Sequence, residues 1–113
     1  MADRIHRVTL FKIPKPEDQQ TMLELYRKVE ATNRKGGKPY ILSLTAGSAE
    51  VDQRAQGYTV VAKTEFASVG DMEYFDNDCD AHKALKAVGR GTLTIDGILT
   101  VFFKPRVMGG SDP

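Results

Sequence analysis

The order in which strand-like and helix-like segments follow one another constrains this chain most. Segments rich in β-branched and aromatic residues alternate with segments whose apolar residues recur every three or four positions. The predicted strands are 5–13, 38–46, 58–66 and 93–103, and the predicted helices are 17–34, a short helix that begins after Ser68, and 81–88. This order predicts an α+β, ferredoxin-like split β-α-β-β-α-β domain, in which the helices cover one face of a four-stranded sheet.

Individual residues mark the ends of these segments. Pro14 closes the first strand, because proline cannot donate a ladder hydrogen bond. The pair Gly36-Gly37 is expected to end the first helix. Ser68 and Asp71, three residues apart, have the form of a capping box at the start of the second helix.

Length and composition indicate one small globular domain. The chain has 113 residues, of which 41% are hydrophobic and 27% are charged, the usual balance of a globular protein. We expect residues 1–105 to form this single domain and residues 106–113 to form a flexible tail.

Charge and hydropathy argue against several classes of partner. Sixteen basic residues are dispersed among fifteen acidic ones, so no basic stripe is present and no nucleic-acid partner is expected. No apolar run approaches the roughly 20 residues that span a bilayer, and the charged N-terminus is unlike a signal sequence. We therefore expect no membrane partner and a cytoplasmic location, which suits a chain with one cysteine and no internal disulfide.

The later strands carry apolar residues on both faces. In the third strand Val60 and Val61 point to opposite faces, and in the last strand Ile98 and Leu99 do the same. Helices are expected to cover only one face of each strand, and the other would expose a large apolar patch. We therefore expect two copies to pack sheet to sheet as a homodimer.

Residues 73–85, EYFDNDCDAHKAL, concentrate acidic and metal-ligating side chains. Asp76, Asp78 and Asp80 alternate as at the start of an EF-hand loop. However, Ala81 and Ala87 stand where that loop needs glycine and glutamate. Zinc would need close ligands besides one cysteine and one histidine, and the chain's other histidine lies in a distant strand. We predict no metal site.

A structural interpretation accounts for the aspartates of this segment. Asp80 is expected to cap the helix 81–88 by accepting hydrogen bonds from its free N–H groups. Asp76 and Asp78 are expected to close the preceding helix and stay in solvent. Cys79 is expected to be inert, because neighbouring aspartates disfavour its thiolate.

Several stretches together resemble a known family. The chain contains, in this order over residues 5–104, RVTLFKI, LYRKVE, ILSLTAG, DQRAQGYTVVAKTEFAS and DAHKAL. It thereby resembles the stress-responsive dimeric α/β-barrel (Dabb) family, particularly its fungal members. The resemblance implies a homodimeric α+β barrel with a small cavity between the sheet and the helices of each subunit. It also implies chemistry without a cofactor, because one plant member closes a polyketide chain by aldol condensation with neither cofactor nor metal.

The functional residues of the family carry over in part. His82, in the segment DAH, matches the catalytic histidine of that plant cyclase, and Tyr26 matches a tyrosine that lines the family pocket. Phe75 stands where the family has the tyrosine partner of the histidine. Its neighbour Tyr74 is rotated by about 100° on a helix, so its hydroxyl is expected to point elsewhere.

The first strand leaves two alternatives for a further site residue. His6 matches the family's first-strand histidine if one residue is inserted in the strand, whereas Arg7 takes that place without the insertion. A shift of one residue moves a strand side chain to the other face. The substrate-binding residues predicted from the resemblance are Tyr26, Phe75, Leu85, Ala62 and His6.

Two functions remain open from the sequence. In the first, the protein is a cofactor-free cyclase or lyase of a small, largely apolar, polyketide-like carbonyl compound, with His82 as general base and Tyr26 orienting the substrate. In the second, it is a non-catalytic, stress-related module that binds a small molecule or a protein. The protonation state of His82 is also open, because the helix macrodipole favours neutral imidazole and the nearby aspartates favour the cation.

Overall fold

The structure is a computed structural model that describes residues 4–112, and these residues form four strands and three α-helices. The strands are β1 (Ile5–Lys12), β2 (Ser43–Ser48), β3 (Val60–Phe66) and β4 (Gly97–Phe103). The helices are α1 (Pro16–Thr32), α2 (Val69–Asn77) and α3 (Asp80–Thr92), with a 3₁₀ turn at Gln53–Ala55. None of the described helices is long and apolar enough to cross a membrane.

The described strands form one antiparallel sheet in the order β2-β3-β1-β4. β1 and β3 occupy the centre, and β2 and β4 lie at the two edges. α1 connects β1 with β2, and α2 and α3 connect β3 with β4; the two strands of each pair are not hydrogen-bonded to each other. This topology confirms the predicted ferredoxin-like, split β-α-β-β-α-β fold.

Side-chain alternation gives the sheet a helix-facing side and an outer face. On the helix-facing side, Ile5 and Phe11 of β1 and Val60 and Phe66 of β3 are buried and form the core with the helices. Strand register places the side chains of the opposite parity together on the outer face. The apolar residues of the outer face are Val8, Leu10, Val61, Leu99, Val101 and Phe103.

The edge strand β4 is exposed on both faces. On the outer face Leu99 is 46% and Val101 is 52% exposed, and on the helix-facing side Ile98 is 58% and Phe102 is 53% exposed. The expectation that helices cover one side of this strand is wrong. The reason is that α1 packs on β2, β3 and α3, so the helical layer lies over the other half of the sheet.

β2, β3 and β4 begin later than predicted, and before β2 and β4 the backbone uses other hydrogen-bond partners. Before β2, the buried Asn33 side chain accepts from the backbone N–H groups of Tyr40 and Ile41 at 3.0 and 3.2 Å. Asn33 also follows the last residue of α1, so one side chain ends that helix ahead of the glycine pair. Before β4, the N–H of Thr94 donates to Asp18 Oδ2 at 3.0 Å instead of to a strand.

The two predicted helix caps have different outcomes. Ser68 caps α2 as predicted, since its Oγ accepts from the N–H of Asp71 at 3.1 Å. The predicted cap by Asp80 is wrong, because Cys79 holds the N-cap position of α3 and no side chain caps this helix. Asp80 is instead the first residue of α3, where its negative charge still complements the helix dipole.

Candidate functional site

A cavity of about 210 Å³ lies between the helix-facing side of the sheet and helices α1 and α3. Arg7, Thr9 and Phe11 of β1 form its floor, and its walls include Tyr26 of α1 and His82 of α3. Pockets for drug-sized ligands usually span about 300–1,000 Å³, so this cavity suits a smaller molecule.

His82 stands on the cavity wall with one ring nitrogen fixed by the backbone. Its Nδ1 lies 2.8 Å from the carbonyl oxygen of Phe75. A carbonyl oxygen only accepts hydrogen bonds, so Nδ1 carries the proton in the neutral ring and Nε2 keeps its lone pair. Nε2 has no hydrogen-bond partner among residues 4–112, and the ring lines the cavity. The lone pair is therefore available to a ligand.

Burial determines the charge of His82. Desolvation lowers the pKa of His82 to about 4, and the positive charges of Lys86 and Arg7 act in the same direction. The hydrogen bond to Phe75 and the charge of Asp76 oppose this shift without reversing it. The imidazole is therefore neutral at neutral pH, which answers the question that the sequence left open.

The lowered pKa of His82 predicts a loss of stability on acidification. The unfolded chain takes up a proton near the ordinary pKa of 6.5, whereas the folded chain does so only near 4. Within that window protons bind preferentially to the unfolded state, so stability falls as pH falls. The contribution of His82 amounts to roughly 3 kcal/mol. We expect urea unfolding at neutral pH and near pH 4 to show a smaller loss for His82→Asn than for the wild type. Equal losses would contradict a buried, neutral imidazole.

Tyr26 presents a hydroxyl to the same cavity. Its ring is buried and packs edge-on against Phe11, with 6.2 Å between ring centroids. Burial raises the pKa of Tyr26 to about 12, so the hydroxyl stays protonated at neutral pH. Among the described residues nothing accepts its proton in a hydrogen bond, although it lines the cavity. Tyr26 can therefore donate a hydrogen bond to a ligand.

The ring of Phe75 packs against the ring of His82. The two rings stack with 3.8 Å between their centroids and an interplanar angle of 12°. The guanidinium of Arg7 lies 5.4 Å from the centroid of the same Phe75 ring. Tyr74, next in the chain, donates its hydroxyl to the carbonyl of Arg34 at 3.1 Å, and so points away from His82 as predicted. No tyrosine hydroxyl in residues 4–112 is hydrogen-bonded to His82.

The predicted site residues do not all reach the cavity. Tyr26, His82 and Leu85 line it together. Phe75 contacts the His82 ring without lining the cavity, and Ala62 of β3 is buried in the core. The structure therefore brings three of these residues to the cavity and places two behind its walls.

His6 lies away from the cavity, on the outer face of the sheet. Its Nε2 is 3.5 Å from Glu65, and its ring centroid is 5.4 Å from that of Phe103. Assignment of His6 to the same cavity is wrong, because adjacent strand residues point to opposite faces. Arg7 has the parity of the buried Thr9 and Phe11, and so takes the place on the cavity floor.

Apart from Arg7, which was the alternative to His6, the sequence did not identify the charged residues of the cavity. Asp76 was expected in solvent, yet its Oδ1 lies 2.5 Å from Nη1 of Arg7 and it lines the cavity. Lys86 and Arg90 also line the cavity. A signal for these two was present, since they follow His82 at spacings of four residues and share its helix face.

In the folded chain, the side chains of the acidic segment that contains His82 lie in different surroundings. Asp78 is exposed at the C-terminal end of α2, as predicted, and the Cys79 side chain is fully buried in the core. Asp76 pairs with Arg7, and His82 faces the cavity. The four side chains therefore serve separate roles.

Fold and cavity together define a class: a ferredoxin-like α+β domain with a small cavity beside a neutral histidine. The stress responsive A/B barrel domain family, Dabb, matches residues 5–96, and the chain belongs to this family. This confirms the resemblance seen in the sequence. A relative from Gibberella zeae (strain PH-1), named fusaristatin A biosynthesis cluster protein, is 57% identical over 111 residues, covering 98% of this chain and 80% of that protein.

Solved structures show the same fold. The hydroxynitrile lyase from Passiflora edulis superposes with a TM-score of 0.71 at 12% identity, over 100% of both chains. A dimeric protein of unknown function with a ferredoxin-like fold, from Bacteroides fragilis, superposes with a TM-score of 0.69 at 14% identity, over 89% of this chain and 95% of that chain. At such identities the likeness shows the fold and nothing finer.

Proposed function

We propose that the protein is a homodimeric, cofactor-free cyclase or lyase that removes a proton from the carbon α to a carbonyl in a small, largely apolar, polyketide-like compound. His82 acts as the general base through Nε2. Tyr26 donates a hydrogen bond to the carbonyl oxygen, and Leu85 packs against the apolar part of the substrate.

The orientation of His82 carries this proposal. The Phe75 carbonyl holds the proton on Nδ1, so the unprotonated nitrogen is the one without a protein partner in the described chain. The imidazole is neutral before the reaction and can accept a proton at once. A neutral imidazole with its lone pair on the nitrogen that has no protein partner can act as a general base.

The charges around His82 suit an enolate product. Removal of the α proton leaves negative charge on the carbonyl oxygen, and the new imidazolium gains an opposite charge nearby. The enolate therefore raises the pKa of His82 from its low value as the proton is transferred. Tyr26 donates to the developing oxyanion.

The comparisons support chemistry in biosynthesis. The relative from Gibberella zeae is named for a biosynthesis cluster, and we extend that kind of role to this chain at 57% identity. The Passiflora edulis structure is a hydroxynitrile lyase, so a lyase can be built on this fold. We also propose a cytoplasmic location, because the chain has a single cysteine and so no internal disulfide.

The uncovered outer face supports the homodimer. Val101 of the edge strand β4 pairs with Val8 of the central strand β1, and both side chains are apolar. The protein's own helices lie on the opposite side of the sheet. The Bacteroides fragilis protein with this fold is dimeric. A second copy packed on this face would remove the apolar patch from water.

A binding module is the second candidate, and one observation favours it. Phe75 takes the position at which the resemblance expects a tyrosine, so His82 has an aromatic ring beside it where the family has a hydroxyl. A catalyst that relied on that hydroxyl would be inactive. The cavity would then hold a small molecule without changing it.

Exchange of α protons in D₂O tests the proposal without knowledge of the full reaction. A panel of small polyketide-like ketones is incubated with the wild-type protein, and deuterium at the α carbon is followed by ¹H NMR. We expect exchange faster than in free imidazole at the same concentration, because Nε2 is positioned and Tyr26 stabilises the enolate. If compounds bind in the cavity and none exchanges, the binding module is favoured.

A further inference from the structure

The cavity carries an excess of positive charge. Its charged lining residues are Arg7, Asp76, Lys86 and Arg90, and the first two form an ion pair with each other. Within residues 4–112, no carboxylate lies within ion-pair distance of Lys86 or Arg90. Two cations therefore face the cavity without a neutralising partner in the described chain.

Helix α3 arranges these cations in a line with the proposed base. His82, Lys86 and Arg90 recur at intervals of four residues, which corresponds to a rise of about 6 Å for each interval. His82 is buried, Lys86 is half-buried and Arg90 is exposed, so the line runs from the base to the mouth of the cavity.

Lys86 and Arg90 both have N–H groups that can donate hydrogen bonds to a ligand. Nζ of Lys86 donates to the backbone carbonyl of Asp76 at 2.7 Å, which fixes its position and uses one of its three N–H groups. The guanidinium of Arg90 has no hydrogen-bond partner among residues 4–112 and offers its planar fork to an anion. The wall opposite is apolar and includes Ile95 and the half-exposed Ile98.

We infer that the substrate is a keto carboxylate, whose anionic group is bound by Lys86 and Arg90 at the mouth while its ketone lies beside His82. The apolar segment between the two groups packs on Leu85 and Ile98. A carboxylate adds little volume to a ligand in a cavity of about 210 Å³. The inference rests on the proposed function, because it names the substrate class of the same cavity.

A matched pair of probes tests the inference. The probes are γ-benzoylbutyrate, a phenyl ketone with a terminal carboxylate, and its uncharged amide, and their affinities are measured by calorimetry at low salt. We expect the carboxylate to bind about tenfold more tightly than the amide, and physiological salt to reduce this difference. Lys86→Gln and Arg90→Gln are each expected to lower the preference about threefold.

Lys83→Gln is the control, because it removes the same charge from an exposed position of α3 that does not line the cavity. It should leave the preference unchanged. The inference is overturned if the two probes bind equally, if the carboxylate does not bind, or if Lys83→Gln lowers the preference as much as the cavity variants. If the carboxylate binds more tightly than the amide and neither probe exchanges its α protons, the anion site is supported and the catalytic function is contradicted. If both probes exchange their α protons with equal KM, the catalytic function is supported and the anion site is contradicted.

Discussion

The variant His82→Asn is expected to lower the rate of α-proton exchange by about 10²- to 10⁴-fold, the usual contribution of a positioned general base. The asparagine amide can donate to the Phe75 carbonyl as Nδ1 does now, at 2.8 Å. It has no basic nitrogen, so the variant separates proton abstraction from the structural hydrogen bond. The measurement is deuterium incorporation by ¹H NMR at saturating ketone.

The rate of α-proton exchange is also expected to depend on pH. Since the pKa of His82 is about 4, wild-type exchange should stay constant from neutral pH downward until that region and then fall as the imidazole becomes charged. Thermal unfolding at neutral pH checks that His82→Asn still folds. Exchange by His82→Asn at the wild-type rate would remove His82 from the mechanism.

Val101→Glu is expected to convert the proposed homodimer into monomers, with an affinity between the two copies at least about 10³-fold weaker. Val101 of the edge strand β4 lies opposite Val8 of β1 in the strand register, and its side chain belongs to the apolar outer face. In a sheet-to-sheet dimer, two-fold symmetry would bury a glutamate from each copy without a partner. An uncompensated buried charge costs about 3–5 kcal/mol, which corresponds to this loss of affinity. Sedimentation over a range of concentrations measures the change.

Val88→Glu provides the matched control for the dimer. It introduces the same charge at a partly exposed valine of α3, in the helical layer on the other side of the sheet. It should leave the dimer intact. A wild-type protein that sediments as a 12.5 kDa monomer at micromolar concentration, or a Val101→Glu variant that stays dimeric, would contradict packing through the outer face.

Much of the fold could be predicted because it depends on local patterns. Alternating strands, one apolar helix stripe at Met22, Leu25, Tyr26 and Val29, and the Ser68 cap all involve residues close in sequence. Strand boundaries failed where a distant side chain took the backbone hydrogen bonds, as Asn33 does before β2. Hydrophobic periodicity cannot predict such a competition for backbone hydrogen bonds, because the competing groups belong to different elements.

The site was predictable to the extent that it follows from side-chain parity and helix spacing. His82 and Leu85, three residues apart on α3, reach the cavity with Tyr26 of α1. The assignment of His6 failed because its strand register was ambiguous by one residue, and one residue reverses the face. Arg7 has the parity of Phe11, and this parity was the signal that could have decided the question.

The sequence by itself determined the order of elements, the family and the histidine of interest, because these depend on residue types and short-range spacing. Only the tertiary structure decided the electrostatics of the cavity. Arg7 and Asp76, 69 residues apart, pair only after β1 and α2 meet. His82 becomes neutral only because folding removes it from water. Charge state and ion pairing depend on distance and burial, and the linear chain specifies neither until it folds.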